Sequence, residues 1–175
     1  MQGESGVSCS PLFRISSTCG ASMLVFLDTE FTDLAEPYLI SFGMVVDGRE
    51  LYVELAGVSA PVCSAFVQES VLPLLDGPGL RPIEAARRIA EFLAPCGGHV
   101  VFFCDAPRYD IELLRPFLPE RLQWSYAVPS FDDLEEERAF EAAQERAFVA
   151  GLRRHHALDD ARAMSLAWSA LHPAA

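Results

Sequence analysis

The chain has 175 residues, which suits one domain with a single sizeable core, and its 51% hydrophobic content excludes a disordered polymer. It carries 25 acidic residues against 13 basic ones, a net charge of −12, which disfavours a protein that coats long nucleic acid. An enzyme that grips a few terminal nucleotides through divalent cations stays allowed, because such ions reverse the local sign of an acidic pocket.

The cysteine pattern and the hydropathy indicate where the protein works. Five cysteines at irregular spacings, with no C-x-x-C pair, predict reduced thiols and neither a disulfide framework nor a zinc site. No apolar run approaches the roughly 18 residues of a membrane span, and the N-terminus lacks the pattern of a signal peptide. We therefore expect a cytoplasmic protein with no membrane association.

The chain opens with a small, polar and patternless segment, for which we predict a flexible lead-in (residues 1–22) to a single domain (residues 23–175). Three strands are predicted next from short apolar runs, at residues 23–27, 38–46 and 51–55. Asp47-Gly48 between the last two is a strong hairpin signal, so this region is predicted to be a β-meander.

A helix is predicted over residues 81–94, where apolar side chains recur at helical spacing: Ile83, Ala86, Ile89, Ala90 and Leu93. The later elements are a buried strand, a short helix, a last strand and a long solvated helix, at residues 99–104, 109–117, 122–127 and 133–153. An amphipathic helix over 158–171 closes the domain, with five candidate buried residues: Leu158, Ala161, Met164, Leu166 and Trp168. This order of strands and helices predicts an α/β fold.

Asp28-Thr29-Glu30 directly follows the first apolar run. Because side chains alternate along a strand, Asp28 and Glu30 are expected to project from the same face. Two carboxylates so close repel each other unless a cation lies between them, and hard ions such as Mg²⁺ or Mn²⁺ prefer oxygen ligands. A solvated pair at a strand end is the alternative interpretation.

Two later segments carry the other candidates. Asp110 follows Tyr109 near a predicted helix start, where an anion is stabilised; Asp105, after the preceding strand, is its rival. The sequence HHALDDARA places a histidine five residues before Asp160 at the start of the last helix. A histidine there can exchange a proton near neutral pH, whereas the alternative is an ordinary acidic helix start with surface histidines.

The order D-x-E, then an aromatic residue with Asp, then H-x-A-L-x-D resembles the DEDDh family of 3′-5′ exonucleases. That family includes DnaQ-like proofreading subunits, RNase T and oligoribonuclease. The segments VFLDTEFTDL and HHALDDARA look like its first and third motifs, and the resemblance covers residues 23–171. Within the family, the chain is most similar to compact bacterial 3′-5′ exoribonucleases.

The resemblance implies an RNase H-like fold, with a mixed five-stranded sheet flanked by helices. It implies two Mg²⁺ or Mn²⁺ ions held by four carboxylates, those of Asp28, Glu30, Asp110 and Asp160. His155 would be the general base, the backbone of Thr29 would contact the terminal nucleotide, and Phe31 would pack on its base or belong to the core. The expected substrates are 3′ ends of single-stranded RNA or DNA, or short oligonucleotides, and a homodimer is expected.

The chain departs from the family pattern in three places, one of which is Asp33, where relatives often have Gly. Its middle motif has one extra residue, so Asp105 competes with Asp110, which keeps the better context. The double histidine leaves His156 as the alternative to His155, whose spacing to Asp160 matches the motif. Two other functions are weighed: a phosphodiesterase for dinucleotides or other small phosphate esters, and a catalytically silent binding module.

Overall fold

The computed structural model describes residues 22–173, so the predicted lead-in falls outside the described residues except for residue 22. A single sheet holds five strands: β1 (Met23–Phe31), β2 (Leu39–Val46), β3 (Arg49–Glu54), β4 (His99–Phe103) and β5 (Gln123–Ala127). Five α-helices accompany it: α1 (Ala65–Ser70), α2 (Pro82–Leu93), α3 (Pro107–Leu114), α4 (Leu134–Val149) and α5 (Ala157–Leu171).

The sheet has the strand order β3-β2-β1-β4-β5. The pairs β1–β2 and β2–β3 are antiparallel, and the pairs β1–β4 and β4–β5 are parallel. This arrangement confirms the predicted α/β class and the mixed five-stranded sheet flanked by helices, and it is compatible with an RNase H-like fold. None of the helices within residues 22–173 is long and apolar enough to cross a membrane.

The predicted hairpin between β2 and β3 is present. Asp47 and Gly48 connect the strands, and both have positive φ, 47° and 72°. A two-residue loop with positive φ at both positions matches the right-handed twist of the strands that it joins. Val46 therefore pairs with Arg49 and fixes the register of the meander.

Side-chain alternation along the strands divides the core between the two faces of the sheet. Val25 and Leu27 of β1 face α2 and α3, in a cluster that also contains Phe42, Ile89 and Phe102. On the opposite face, Phe26 of β1 packs with residues of α4 and α5: Phe140, Ala143, Ala161 and Met164. A polar residue on β1 thus points towards one helical layer or the other according to its position.

Several predicted boundaries are corrected. Strand β1 continues to Phe31, so Asp28 and Glu30 lie within the strand and not after it. The segment between β3 and α2 was assigned no helix but contains α1, whose first turn is capped by the Ser64 side chain. Helix α3 ends at Leu114, and a short 3₁₀ turn follows because Pro116 has no N–H for an α-helical bond.

Two residues predicted to be buried are exposed. Ile83 in the first turn of α2 is 72% exposed, because the buried face of that helix consists of Ala85, Ile89 and Leu93. Leu166 in α5 is 56% exposed, whereas Leu158, Ala161 and Met164 are buried as predicted. In both helices the sequence shows the apolar periodicity, but packing against the sheet decides which side of the helix is buried.

The backbone at the start of α5 lies directly against Gly43 of β2. A Cβ placed on Gly43 would lie 2.3 Å from Leu158 Cα and 2.5 Å from the Ala157 carbonyl carbon. Gly43 also pairs with Asp28 across β1 and β2. The absence of a side chain at position 43 therefore allows the first turn of α5 to sit beside the carboxylate of Asp28.

We expect Gly43→Ala to destabilise the protein by about 1–3 kcal/mol or more, the usual penalty of overpacking, because backbone atoms cannot rotate away as a side chain can. Gly77→Ala is the matched control, since a Cβ there meets nothing within 4 Å. Urea unfolding of both variants measures the difference. Equal midpoints for the two variants would contradict the proposed close packing.

Candidate active site

Three carboxylates, from the first strand and the last helix of the described chain, lie close together. Asp28 and Glu30 project from the face of β1 that α5 covers, and Asp160 lies in the first turn of α5. Each of these side chains offers an oxygen, and the three oxygens lie within 4.8 Å of one another. The structure thus brings together three of the four predicted metal ligands.

This group lies in a cleft of about 580 Å³. Its wall is formed by strand β1, the loop after β4, helices α3, α4 and α5, and the loop that joins α4 to α5. Seven acidic side chains among the described residues line the cleft: Asp28, Glu30, Asp105, Asp110, Glu141, Glu145 and Asp160. Such a concentration of negative charge attracts cations and repels free phosphate.

The carboxylates hold their protons tightly. Burial, followed by repulsion from Asp110 and Asp160, raises the pKa of Asp28 well above its usual range. Burial and the charge of Asp160 raise the pKa of Glu30 to about 8. Burial also raises the pKa of Asp160 to about 7, although backbone N–H groups of His155 and His156 oppose the rise.

The donor set fits a hard divalent cation. All three converging groups are carboxylates, and Mg²⁺ and Mn²⁺ prefer such oxygen ligands over nitrogen and sulfur. Burial and repulsion between carboxylates raise the pKa values of Asp28 and Glu30, and no cationic residue of the described part of the chain lowers them. Asp28, Glu30 and Asp160 are therefore the residues that would hold the predicted ions.

Asp110 borders the same cleft but is held in a different way. It is 2% exposed, and its carboxylate accepts hydrogen bonds from Thr29 Oγ1 (2.6 Å) and the Ala106 backbone N–H (3.2 Å). Burial raises its pKa to about 7. Asp105 also lines the cleft but is exposed, so Asp110 has the more strongly constrained position. The Thr29 hydroxyl, for which no role was predicted, orients Asp110.

The two histidines have distinct environments. His155 is exposed and lines the cleft, with a left-handed backbone (φ 62°). His156 is buried, caps the N-terminus of α5 and stacks on Tyr52 at 4.4 Å. Burial and the Arg154 charge lower the pKa of His155, so its imidazole is neutral at pH 7. Of the two, only His155 borders the carboxylates with a side chain free to exchange protons.

An ion-pair network missed in the sequence supports the turn that carries His155 and Asp160. Asp159 is buried and accepts hydrogen bonds from Arg153 Nε (2.7 Å) and from Arg162 Nη1. Arg153 also contacts Asp76 at 3.0 Å, in the loop before α2. Arg153, Asp159 and Arg162 are close in sequence, but their spacing alone did not reveal that they bond, and the contact of Arg153 with Asp76 exists only in the fold.

Aromatic side chains occur beside the carboxylates. Phe31 lines the cleft and is half-buried, with its ring stacked 4.7 Å from that of Tyr109. This position leaves both predicted roles of Phe31, base contact and core packing, available. Phe66 of α1 was not identified from the sequence; it is exposed, and its ring lies 4.9 Å from His155 in an edge-to-face arrangement.

Comparisons with known proteins leave the family undecided. No family model matches the chain, and no curated protein matches it. The resemblance to DEDDh exonucleases therefore stays a hypothesis that depends on three short motifs. Any functional proposal has to be supported by the chemistry of the cleft itself.

The metal-free protein should become less stable as the pH rises from about 4 to about 8. A carboxyl whose pKa is raised by folding binds its proton more tightly in the folded state, so stability is lost as the pH rises through the folded pKa.

Asp28→Asn removes one repelling charge and should raise the melting temperature in EDTA at pH 8, by roughly 2–4 °C per kcal/mol of repulsion removed.

The same variant should lose the stabilisation that Mn²⁺ gives the natural chain, which is about 2.7 kcal/mol at 100 times the dissociation constant. Thermal melts with EDTA and with Mn²⁺ test both expectations. Asp105→Asn is the control, since Asp105 is exposed and lies outside the three-carboxylate group. An Asp28→Asn variant that melts lower than the natural chain in EDTA would contradict the account of repulsion.

Asp159→Ala should destabilise the protein by about 2–3 kcal/mol, because two arginines lose their shared buried partner. Burial opposes ionisation of Asp159, but hydrogen bonds from Arg153 and Arg162 outweigh it and lower the pKa. Its contribution is thus present above pH 4 and lost as the pH falls through the folded pKa.

Urea unfolding at pH 7 and at pH 3 measures the effect of Asp159→Ala, and the difference from the natural chain should shrink at the lower pH. Glu112→Ala is the control, because the Glu112–Arg115 pair is exposed and such pairs contribute about 1 kcal/mol or less. Equal losses in the two variants would show that the buried network has no special role.

Proposed function

We propose that this protein is a metal-dependent 3′-5′ exonuclease, with RNA as the favoured substrate, that releases nucleoside 5′-monophosphates. The observation that carries the proposal is the convergence of Asp28, Glu30 and Asp160 within 4.8 Å, in a cleft that His155 also lines. Three half-buried carboxylates with no cationic partner among the described residues are costly as a purely structural feature, whereas a divalent ion used in phosphodiester hydrolysis would compensate their charge.

The chain's residues divide the work of hydrolysis in this proposal. When bound, Mg²⁺ or Mn²⁺ supplies Lewis acidity towards the phosphate oxygens. His155 accepts a proton from water, whose oxygen attacks phosphorus while the bond to the 3′-oxygen breaks. The leaving 3′-oxygen takes a proton from solvent, so the products are a shortened strand with a 3′-hydroxyl and a 5′-monophosphate. Asp110, held by Thr29, borders the same cleft beside the ligand group.

The surroundings of the carboxylates support a substrate with bases. Phe31 borders the cleft, and an aromatic ring that stacks on a base contributes about 1–3 kcal/mol regardless of the base. The proposal includes contact between the backbone of Thr29 and the terminal nucleotide. It also includes a cytoplasmic location, with which the free, buried thiols of Cys63, Cys96 and Cys104 are compatible.

A phosphodiesterase for dinucleotides is the second candidate, and the charge of the cleft favours it. A wall with seven acidic side chains repels each additional phosphate of a long strand, whereas a dinucleotide brings only one phosphodiester. Rates on a dinucleotide and on a 20-mer of the same sequence distinguish the two candidates. A preference of more than about tenfold for the dinucleotide in kcat/KM would favour the phosphodiesterase.

Release of labelled mononucleotides from a 3′-labelled single-stranded RNA, and from its DNA counterpart, tests the proposal. We expect stepwise 3′ trimming with Mn²⁺, none with EDTA and none for Asp28→Asn. His155→Asn removes the base but suits the left-handed backbone, which asparagine tolerates, and should lower kcat about 10²–10⁴-fold. The rate of the natural chain should rise with pH through the titration of His155.

Matched variants separate chemistry from folding. Asp105→Asn should retain most activity, and His155→Asn should keep the Mn²⁺-induced rise in melting temperature that Asp28→Asn loses. Trimming that persists in Asp28→Asn, or an unchanged kcat in His155→Asn, would overturn the proposed roles. Absence of trimming of RNA, DNA and dinucleotide together would overturn the proposed function.

A further inference from the structure

The acidic cleft contains a single arginine among the described residues that line it, Arg154. Each phosphate of a nucleic acid substrate carries negative charge, and the bound ions would compensate it only close to the ligand group. A second phosphate in the cleft needs another positive partner, because an uncompensated pair of anions is costly in a partly buried site. Arg154 is therefore the residue on which charge compensation away from the ions depends.

Arg154 is held at the wall formed by α4. Its Nη2 donates a hydrogen bond to Glu145, and its guanidinium lies 4.2 Å from the ring centroid of Phe148. Its side chain is 51% exposed. It precedes His155, whose positive φ turns the chain sharply at this point. The guanidinium is thus oriented by stacking, open to solvent and bonded to one exposed carboxylate.

The neighbouring arginines are not available in the same way. Arg153 bonds to both Asp76 and Asp159, and Arg162 bonds to both Glu50 and Asp159. Each therefore has two carboxylate partners, one of them buried, and loses stabilising bonds if it moves. Arg154 differs because its partner is exposed, and an exposed ion pair contributes little to stability.

We propose that Arg154 binds a non-scissile phosphate of the substrate and that Glu145 occupies its guanidinium until the phosphate replaces it. This inference rests on the proposed function and specifies how the same cleft recognises its substrate. A guanidinium bonds phosphate and carboxylate with the same planar fork of donors, so the Glu145 carboxylate stands in for the phosphate. Phe148 keeps the fork oriented during the exchange. Helix α4 therefore regulates affinity through one carboxylate.

The test measures binding of a 5′-fluorescein single-stranded RNA pentamer with phosphorothioate linkages, in Ca²⁺, by fluorescence anisotropy at several salt concentrations. Arg154→Gln should weaken binding about tenfold and reduce the slope of log K against log salt by about 0.7, the value for one phosphate contact on a single strand. Glu145→Gln should strengthen binding about threefold to tenfold, because it releases the guanidinium.

Two controls isolate the exchange. Glu141→Gln removes a charge from the same face of α4 and the same cleft, so it reports the general effect of reduced repulsion. Arg115→Gln removes an arginine of similar exposure, 57%, that pairs with Glu112 and does not line the cleft. We expect Glu145→Gln to increase RNA affinity more than Glu141→Gln does, but only while Arg154 is present. The double variant Arg154→Gln/Glu145→Gln should therefore bind RNA with the same affinity as Arg154→Gln/Glu141→Gln.

The outcomes separate this inference from the proposed function. If the natural chain binds and trims RNA while Arg154→Gln leaves affinity and salt slope unchanged, the role of Arg154 is wrong and the nuclease proposal stands. Equal effects of Glu145→Gln and Glu141→Gln in the natural background would overturn the exchange. A natural chain that neither binds nor trims RNA would overturn the proposed function and the inference with it. Circular dichroism of each variant confirms that the fold is retained.

Discussion

The contact between Gly43 and the first turn of α5 is the constraint on which the rest of the site depends. Gly43 pairs with Asp28, and the backbone of Leu158 occupies the space where a side chain would be. This contact brings Asp160 to the face of β1 that carries Asp28 and Glu30. Backbone packed against backbone allows almost no adjustment, so the relative positions of the backbone segments that carry the three carboxylates are fixed by the fold.

The carboxylate group and the arginine network at the start of α5 have opposite electrostatic character. Asp159 faces two guanidinium groups and is stabilised as an anion, whereas its neighbour Asp160 faces other carboxylates and resists ionisation. Adjacent residues on one helical turn thus carry a favourable and an unfavourable charge environment. The bonds of Asp159 hold the turn in place, and the repulsion at Asp160 persists because that turn cannot move away. Sites that bind cations commonly retain such unrelieved repulsion, at a cost that the surrounding structure supports.

Much of the fold was predictable because its signals are local. The apolar runs marked the strands, and Asp47-Gly48 marked the hairpin, since both depend on residues that are close in sequence. Helix α1 was missed because a six-residue helix offers too few turns to show periodicity. Ile83 was placed in the core wrongly, because periodicity identifies a helix but the sheet decides which phase of it is buried.

The candidate residues of the site were named from motif order, and the structure distinguishes His155 from His156 by burial. The contact of Arg153 with Asp76 and the role of the Thr29 hydroxyl required the fold, since their partners are distant in the chain.

The position of α5 also determines when the three-carboxylate group can form. Asp28 and Glu30 are in the first strand, whereas Asp160 is in the last helix described. During synthesis the sheet and its first helical layer can form before α5 emerges, but a nascent chain that stops short of residue 155 carries neither Asp160 nor His155. Incomplete products of translation are therefore unable to assemble the three-carboxylate group, which exists only once the last described helix has packed on the sheet.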